Sequence, residues 1–295
     1  MRALMERLTG NNEVEITVKR IYREPQIECR GVSMAELESM KGQVMRQYDT
    51  AGSSWHKIRG SGHELLEKPA IYNLLPPVEG KRVLCVGSGY GEECARLVAL
   101  GAEKVVGIDL SAGNIQQARQ HYPSLEFHEM DMEQISFPPA SFDLVFSSLA
   151  LHYVQNWNPT LTGMRRVLAP GGSIVISTHH PASWSALKDE NETTKRQLLG
   201  FEVDKASGKV SIFGDYLQER PVISKFGGTF EASFYHKSFS GMLREFRDAG
   251  FSVVECTEPG PVAEAQSLDP QFWELRSRFP LFILFKLERA VGIVD

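Results

Sequence analysis

Val83-Leu84-Cys85-Val86-Gly87-Ser88-Gly89-Tyr90-Gly91-Glu92-Glu93 decides how this chain is read. Its apolar first part predicts a buried strand, its glycines a tight turn, and the residues from Glu92 to Leu100 a helix. A strand that passes through a glycine turn into a helix is a setting for a nucleotide-like ligand. Glycine lets the backbone approach the ligand, and the helix N-terminus presents free N–H groups. The spacing departs from the dinucleotide fingerprint G-x-G-x-x-G. Gly87 and Gly89 fit it, but Gly91 comes one place early and Glu92 holds the sixth position. Glu92 and Glu93 would repel a pyrophosphate and suit a ligand with a cationic or zwitterionic end.

On either side of this turn the pattern is rhythmic. Strands are predicted at Arg82–Val86, Val105–Ile108, Leu125–Glu129, Phe142–Ser147 and Ser173–Ser177. Helices fall between them, at about Ala112 to His121 and about Pro159 to Leu168. Apolar strands alternating with helices predict a doubly wound α/β fold with a mostly parallel sheet covered on both faces. The rhythm stops after Thr178. Residues 183–210 read as polar loop. Asp215–Lys225 and Thr229–Lys237, joined by Phe226-Gly227-Gly228, predict an inserted β-hairpin. Ser240–Ala249 predicts an amphipathic helix, and Phe251–Thr257 and Leu281–Leu287 the last strands. Upstream, the alternation of Val14, Ile16 and Val18 suggests a short strand, Ser33 to Tyr48 a capped helix, and the Gly/Ser clusters at 51–54 and 60–62 loop.

The chain has 295 residues, a formal net charge of −5, 42% hydrophobic and 23% charged residues, which is ordinary for a globular protein. The mild acidity carries no footprint for nucleic-acid binding. The longest late apolar run, Phe279–Phe285, is too short to span a bilayer, and the first ten residues lack the apolar core of a signal peptide. The four cysteines form no C-x-x-C pair and no zinc spacing, so no metal is expected and a reducing, cytoplasmic setting is.

Five segments together resemble the class I S-adenosylmethionine-dependent methyltransferases, in the small-molecule branch that includes natural-product tailoring enzymes. They are the glycine turn, Val106-Gly107-Ile108-Asp109-Leu110-Ser111, Glu129-Met130-Asp131-Met132, Ser141-Phe142-Asp143-Leu144-Val145, and Val167-Leu168-Ala169-Pro170-Gly171-Gly172. The resemblance covers roughly Met45 to Thr178. It implies a Rossmann-like sheet of seven strands and S-adenosyl-L-methionine as cofactor, leaving as S-adenosyl-L-homocysteine. It implies cofactor contacts from Gly87, Ser88, Gly89, Gly91 and Leu110. Asp109 would meet the ribose hydroxyls and Asp131 the adenine amino group. Met132 would flank the ring, and Ser147 would lie near the methionine part. Asp109 and Ser111 are also both suited to cap the following helix. In one place the chain departs from the family pattern: Cys85 stands where Asp or Glu is usual, two residues before the first glycine.

The acceptor site is expected at the carboxyl ends of the strands. Tyr48, in a Tyr-Asp-x-x-Ala segment like the family's, would close over the sulfonium, with Trp55 nearby; the helix stripe ending at Tyr48 also suits core packing. His152 is the candidate general base, as an imidazole near its ordinary pKa. Adjacent His179 and His180 point to opposite sides of an extended chain, and His179 is taken as the substrate-side residue. Tyr153, Phe230 and Phe234 are expected to line the substrate pocket, or to pack the hairpin onto the core. The resulting domain plan is an N-terminal arm and lid helix (1–64), a cofactor-binding core (65–182), a lid insertion with its hairpin (183–239) and the end of the core sheet (240–295). The arm is long enough to pack on a second copy of the chain or to cover its own site. Methyl transfer to O, N or C of a small organic acceptor is the leading reading. A nicotinamide-dependent oxidoreductase and a non-catalytic cofactor-binding protein are the alternatives.

Overall fold

Strand β1 (Arg82–Val86) is buried on both faces, so its continuous apolar run has no polar side to give to water. In this computed structural model, which describes residues 16–17, 42, 60–188, 197–226 and 230–290, β1 is an inner strand of a seven-stranded sheet. The chain enters through a helical segment α1 (60–73), built of Gly60–Gly62, a π-helical stretch His63–Glu67, and Lys68–Asn73. After β1 come α2 (Glu92–Ala99), β2 (Lys104–Asp109), α3 (Ala112–His121), β3 (Glu126–Glu129), β4 (Phe142–Ser147), α4 (Asn158–Val167) and β5 (Leu168–His179). Then follow α5 (Pro181–Trp184), the hairpin strands β6 (Arg220–Phe226) and β7 (Phe230–His236), α6 (Phe239–Asp248), β8 (Phe251–Thr257), α7 (Ala265–Leu268), α8 (Pro270–Arg276) and β9 (Phe282–Arg289).

The sheet order is β8-β9-β5-β4-β1-β2-β3. β5, β4, β1, β2 and β3 pair in parallel, and β9 runs antiparallel to both of its neighbours. Alternate residues of β1 supply two different cores. Leu84 and Val86 pack with Met164, Phe246 and Phe285 on one face. Val83 and Cys85 pack with Leu97, Ile115 and Phe146 on the other. The start of β1 is held to β4 by Arg82, whose backbone N, Nε and Nη2 all donate to the Asp143 carboxylate at 2.8–3.0 Å. Those bonds hold the Asp143 carboxyl down to about 2. This clamp is therefore complete above about pH 4 and is lost as pH falls towards 2.

Four expectations need correction. Gly60–Gly62 opens α1 instead of lying in a loop. β5 begins at Leu168, not Ser173: Phe142 pairs with Leu168, the register shifts, and the ladder resumes at Leu144 and Ser173 with the Pro-Gly-Gly turn bulged between. The first hairpin strand starts at Arg220, not Asp215. The stretch read as polar loop contains short strands, because apolar residues at 200–203 and 210–213 pair antiparallel.

Those strands belong to a second compact unit, formed by 185–217 with the N-terminal segment. Within it Gly200–Val203 faces Val210–Phe213, and Ile16–Thr17 adds in parallel beside Val210 and Ser211. The turn between the antiparallel strands is tied by Asp204, which accepts from Ser207 N at 2.7 Å and Ala206 N at 3.0 Å. Among the described residues no helix is long and apolar enough to cross a membrane.

Candidate active site

The order of the sheet reverses between β1 and β4, and a crevice opens there at the carboxyl ends of the strands. It is a cavity of about 560 Å³ within the larger unit, in the ordinary range for a small-molecule site. Its floor is the glycine turn. Gly87 takes a φ of 73°, and a Cβ there would lie 2.4 Å from Ala150 Cβ, so no side chain fits between the turn and β4's exit. The turn is also held from the side. The Asp109 carboxylate, at the end of β2, accepts from Gly89 N at 2.9 Å, Ser111 N at 3.0 Å and Asn114 Nδ2 at 3.1 Å. Ser111 caps α3, its Oγ accepting from Asn114 N at 3.0 Å. That leaves Asp109 in the cavity wall with Leu110.

Asp131 and Met132 form the next part of the wall, where Asp131 caps a short 3-10 turn by accepting from Glu133 N at 2.9 Å. Gly87 and Gly89 line the cavity, whereas Ser88, Gly91 and Ser147 do not. Ser88 is buried, and its Oγ has no hydrogen-bond partner among the described residues. Gly91 is the N-cap of α2. Ser147 is fully buried and donates to Val86 O at 3.0 Å, so its hydroxyl ties β4 to β1. The wall beyond β4 is Ser148-Leu149-Ala150 instead. Leu149 has a φ of 48°, a left-handed conformation that costs a non-glycine residue about 1–2 kcal/mol. Its N–H is held by Ser177 O at 3.2 Å and Ser177 Oγ at 3.0 Å.

A buried acidic group lies beside the turn. Glu67 is fully buried, and its Oε1 accepts from Ser148 Oγ at 2.9 Å and Ser177 Oγ at 2.5 Å. His63 Nε2 lies 3.6 Å from Glu67 Oε2 and 3.7 Å from Glu93 Oε1. His63, Glu93 and Ser148 line the cavity. Sequence reasoning missed His63 and Glu67. The only signal was their i, i+4 spacing in a stretch without strong apolar rhythm, and the π-helical geometry there alters which side chains meet. Cys85 faces the core behind this group. Burial, then Cys94, then the charge of Glu93 push its thiol well up, so it stays a thiol and does not replace a carboxylate.

The far end of the cavity is aromatic. His152 and His179 stack with ring centroids 3.7 Å apart and planes 11° apart. Trp184 stacks on the other side of His179 at 4.4 Å. Phe234, from the hairpin, meets His179 edge-on at 4.5 Å and Trp184 at 4.8 Å. Tyr153 lines the cavity beside His152, its ring 4.4 Å away. His180 turns away from this cluster to Glu258, at 2.5 Å. Tyr48 and Trp55 lie outside the described residues, as does the side chain of Phe230. Among the described residues, no group of three or more His, Cys, Asp and Glu is placed to hold a metal ion.

The expectation of an imidazole near its ordinary pKa is corrected. Burial takes His152 down to about 3, and burial followed by His152 itself holds His179 well below the usual range. Both rings are neutral at physiological pH and cannot hold a proton for long. The unfolded chain binds more protons below about pH 6.5 than these buried rings do. Stability is therefore full above that pH and declines as pH falls towards 3. Neither ring should titrate between about pH 5 and 8 in a histidine NMR titration. A midpoint near 6.5 for either would contradict the buried geometry.

Comparison with known proteins gives the same class. Residues 84–176 match a family described as a methyltransferase domain. An S-adenosylmethionine-dependent methyltransferase from Mesorhizobium loti superposes with a TM-score of 0.61 and 29% identity, over 76% of this chain and 97% of that one. An uncharacterised protein of Haemophilus influenzae is 25% identical over 245 residues, covering 78% of this chain and 91% of its own length. A demethylmenaquinone methyltransferase of Clavibacter sepedonicus is 33% identical over 148 residues, which are 48% of this chain and 60% of that protein. With the strand order and the glycine turn, these findings support a class I S-adenosylmethionine-dependent methyltransferase, an enzyme whose methyltransferase domain matches over residues 84–176. The class implies S-adenosylmethionine as cofactor, and the cavity suits it. The backbone at Gly87 leaves no room for a side chain, Asp109 offers a carboxylate beside the turn, and Glu93 adds a second acidic side chain suited to an ammonium group.

Proposed function

We propose that this enzyme transfers a methyl group to O, N or C of a small organic acceptor, of the kind met in natural-product tailoring. The observation that carries this reading is the continuity of one cavity, with polar, acidic walls at Gly87, Asp109 and Asp131 and an aromatic far end at His152, His179 and Trp184. A cavity of about 560 Å³ with a few polar groups and an aromatic end fits a small molecule better than a folded macromolecule. Relatives named as a demethylmenaquinone methyltransferase and a malonyl-acyl-carrier-protein O-methyltransferase each match about half of this chain, and the acceptors in those names are chemically unlike.

When bound, the cofactor supplies an electrophilic methyl group on a sulfonium. The chain's own residues bind and orient. Asp109 would hold the ribose hydroxyls, Asp131 the adenine amino group, and Met132 would flank the ring. Leu110 would lie beside them, while Ser88, Gly91 and Ser147 shape the turn and the strand beneath it. Glu93, supported by His63, would take the α-ammonium that Cys85 leaves unmet. His152 and His179 exclude water and position the acceptor by hydrogen bonding as neutral rings, so alignment provides the rate enhancement.

Incubating the enzyme with methyl-labelled cofactor and a metabolite extract should move label into the small-molecule fraction. Label confined to protein or RNA would overturn the choice of acceptor. The role of Glu93 has its own test. Glu93→Gln should weaken S-adenosylhomocysteine binding about tenfold, the scale of one charge-assisted hydrogen bond. Binding of methylthioadenosine, which lacks the amino-acid end, should not change. Equal losses for both ligands would assign Glu93 to packing instead.

A further inference from the structure

Arg276, the last residue of α8, is the only arginine or lysine among the described residues that line the cavity. It is half-buried. Its Nη1 donates to Ser183 Oγ at 3.1 Å, and no carboxylate is paired with it among the described residues. Ser183 Oγ donates in turn to Pro280 O at 2.5 Å. The nearby acid in the wall, Asp269, is committed elsewhere: it accepts from Ser61 Oγ at 2.5 Å and from Phe272 N at 3.1 Å. Burial lowers the pKa of the Arg276 guanidinium with no acid to offset it. A cation taken partly out of water without a counter-charge is costly unless a ligand supplies one. The same cavity is lined by the rings of Trp184, Phe272 and Phe282 and by Leu275. His179, stacked on Trp184, is a lining residue whose buried Nδ1 has no partner among the described residues.

We infer that the methyl acceptor is a planar apolar molecule bearing an oxyanion, a carboxylate or a phosphate, and that Arg276 holds that group. The inference rests on the small-molecule reading above. A guanidinium presents a planar fork of donors that matches either oxyanion, and here only Nη1 is engaged among the described residues, by Ser183 Oγ. The flat body would pack along Trp184 and Phe282, and Arg276 would thereby set which end of the acceptor faces the glycine turn.

The test uses the full chain, with and without S-adenosylhomocysteine, and three matched probes: naphthoate, naphthyl phosphate and the neutral naphthamide. Affinities are read by calorimetry. At least one anionic probe should bind ten or more times tighter than naphthamide, and which one does so separates carboxylate from phosphate. Arg276→Gln should remove that preference while keeping S-adenosylhomocysteine affinity, and Arg276→Lys should keep part of it. No anionic preference in the wild type, or a preference that survives Arg276→Gln, overturns the inference. So does loss of S-adenosylhomocysteine affinity in Arg276→Gln, which would give the guanidinium to the cofactor. Failure of S-adenosylhomocysteine to bind the wild type counts instead against the methyltransfer reading. The probe comparison without it still decides on Arg276.

Discussion

Asp109→Ala should weaken S-adenosylhomocysteine binding a hundredfold or more, the largest loss expected from any single side chain of the site. The carboxylate accepts three hydrogen bonds from the chain itself, from Gly89 N, Ser111 N and Asn114 Nδ2. Alanine would release the glycine turn and leave those donors at the cavity wall without an acceptor. It would also remove the group proposed to meet the ribose. Hydrogen bonds to a charged group contribute about 1.5–3 kcal/mol each, and two such losses exceed a hundredfold. Asp109→Asn is the milder change. It keeps one acceptor oxygen, but its NH2 must face donors that the second oxygen served, so stability and affinity should both fall between those of the wild type and Asp109→Ala. Calorimetry gives the affinities and thermal melting gives the stability. An unchanged affinity for Asp109→Ala would remove Asp109 from the site.

Gly87→Ala should cost both stability and binding. Its φ of 73° is strained for any residue with a side chain, and the new Cβ would meet Ala150 Cβ at 2.4 Å. Left-handed strain costs about 1–2 kcal/mol and overpacking about 1–3 kcal/mol, so the fold should lose about 2–5 kcal/mol unless the turn moves. If the turn moves, it moves into the cavity floor and the cofactor loses its seat. Adding Ala150→Gly relieves the contact but not the backbone strain. The double variant should therefore recover part of the stability lost by Gly87→Ala. No recovery would mean that the close approach to Ala150 is not what forbids a side chain there.

The parallel core was legible because its strands are buried on both faces and carry no competing pattern. Arg82–Val86 and Phe142–Ser147 were read with the bounds they have. Asp109 and Asp131 were expected in the site from the family resemblance, and both line the cavity. Three kinds of feature were not legible. β5 starts at Leu168 because a bulge lets pairing begin before the Pro-Gly-Gly turn, and a bulge has no local apolar signature. Glu67 becomes a buried partner of Ser148 and Ser177 only through contacts 81 and 110 residues apart, which no window along the chain contains. His152 was read with the right neighbours in sequence but the wrong protonation. The depth of its burial comes from Phe234 on the hairpin and from the stacked His179. Ser147 is a motif position whose side chain serves the strand pairing, its Oγ donating to Val86 O.

The most direct test of the account is a pair of calorimetric titrations of the wild-type chain, one with S-adenosylhomocysteine and one with a nicotinamide dinucleotide. Saturable binding of one S-adenosylhomocysteine per chain, without nicotinamide binding, is the predicted result. Tight nicotinamide binding with no heat from S-adenosylhomocysteine would contradict it.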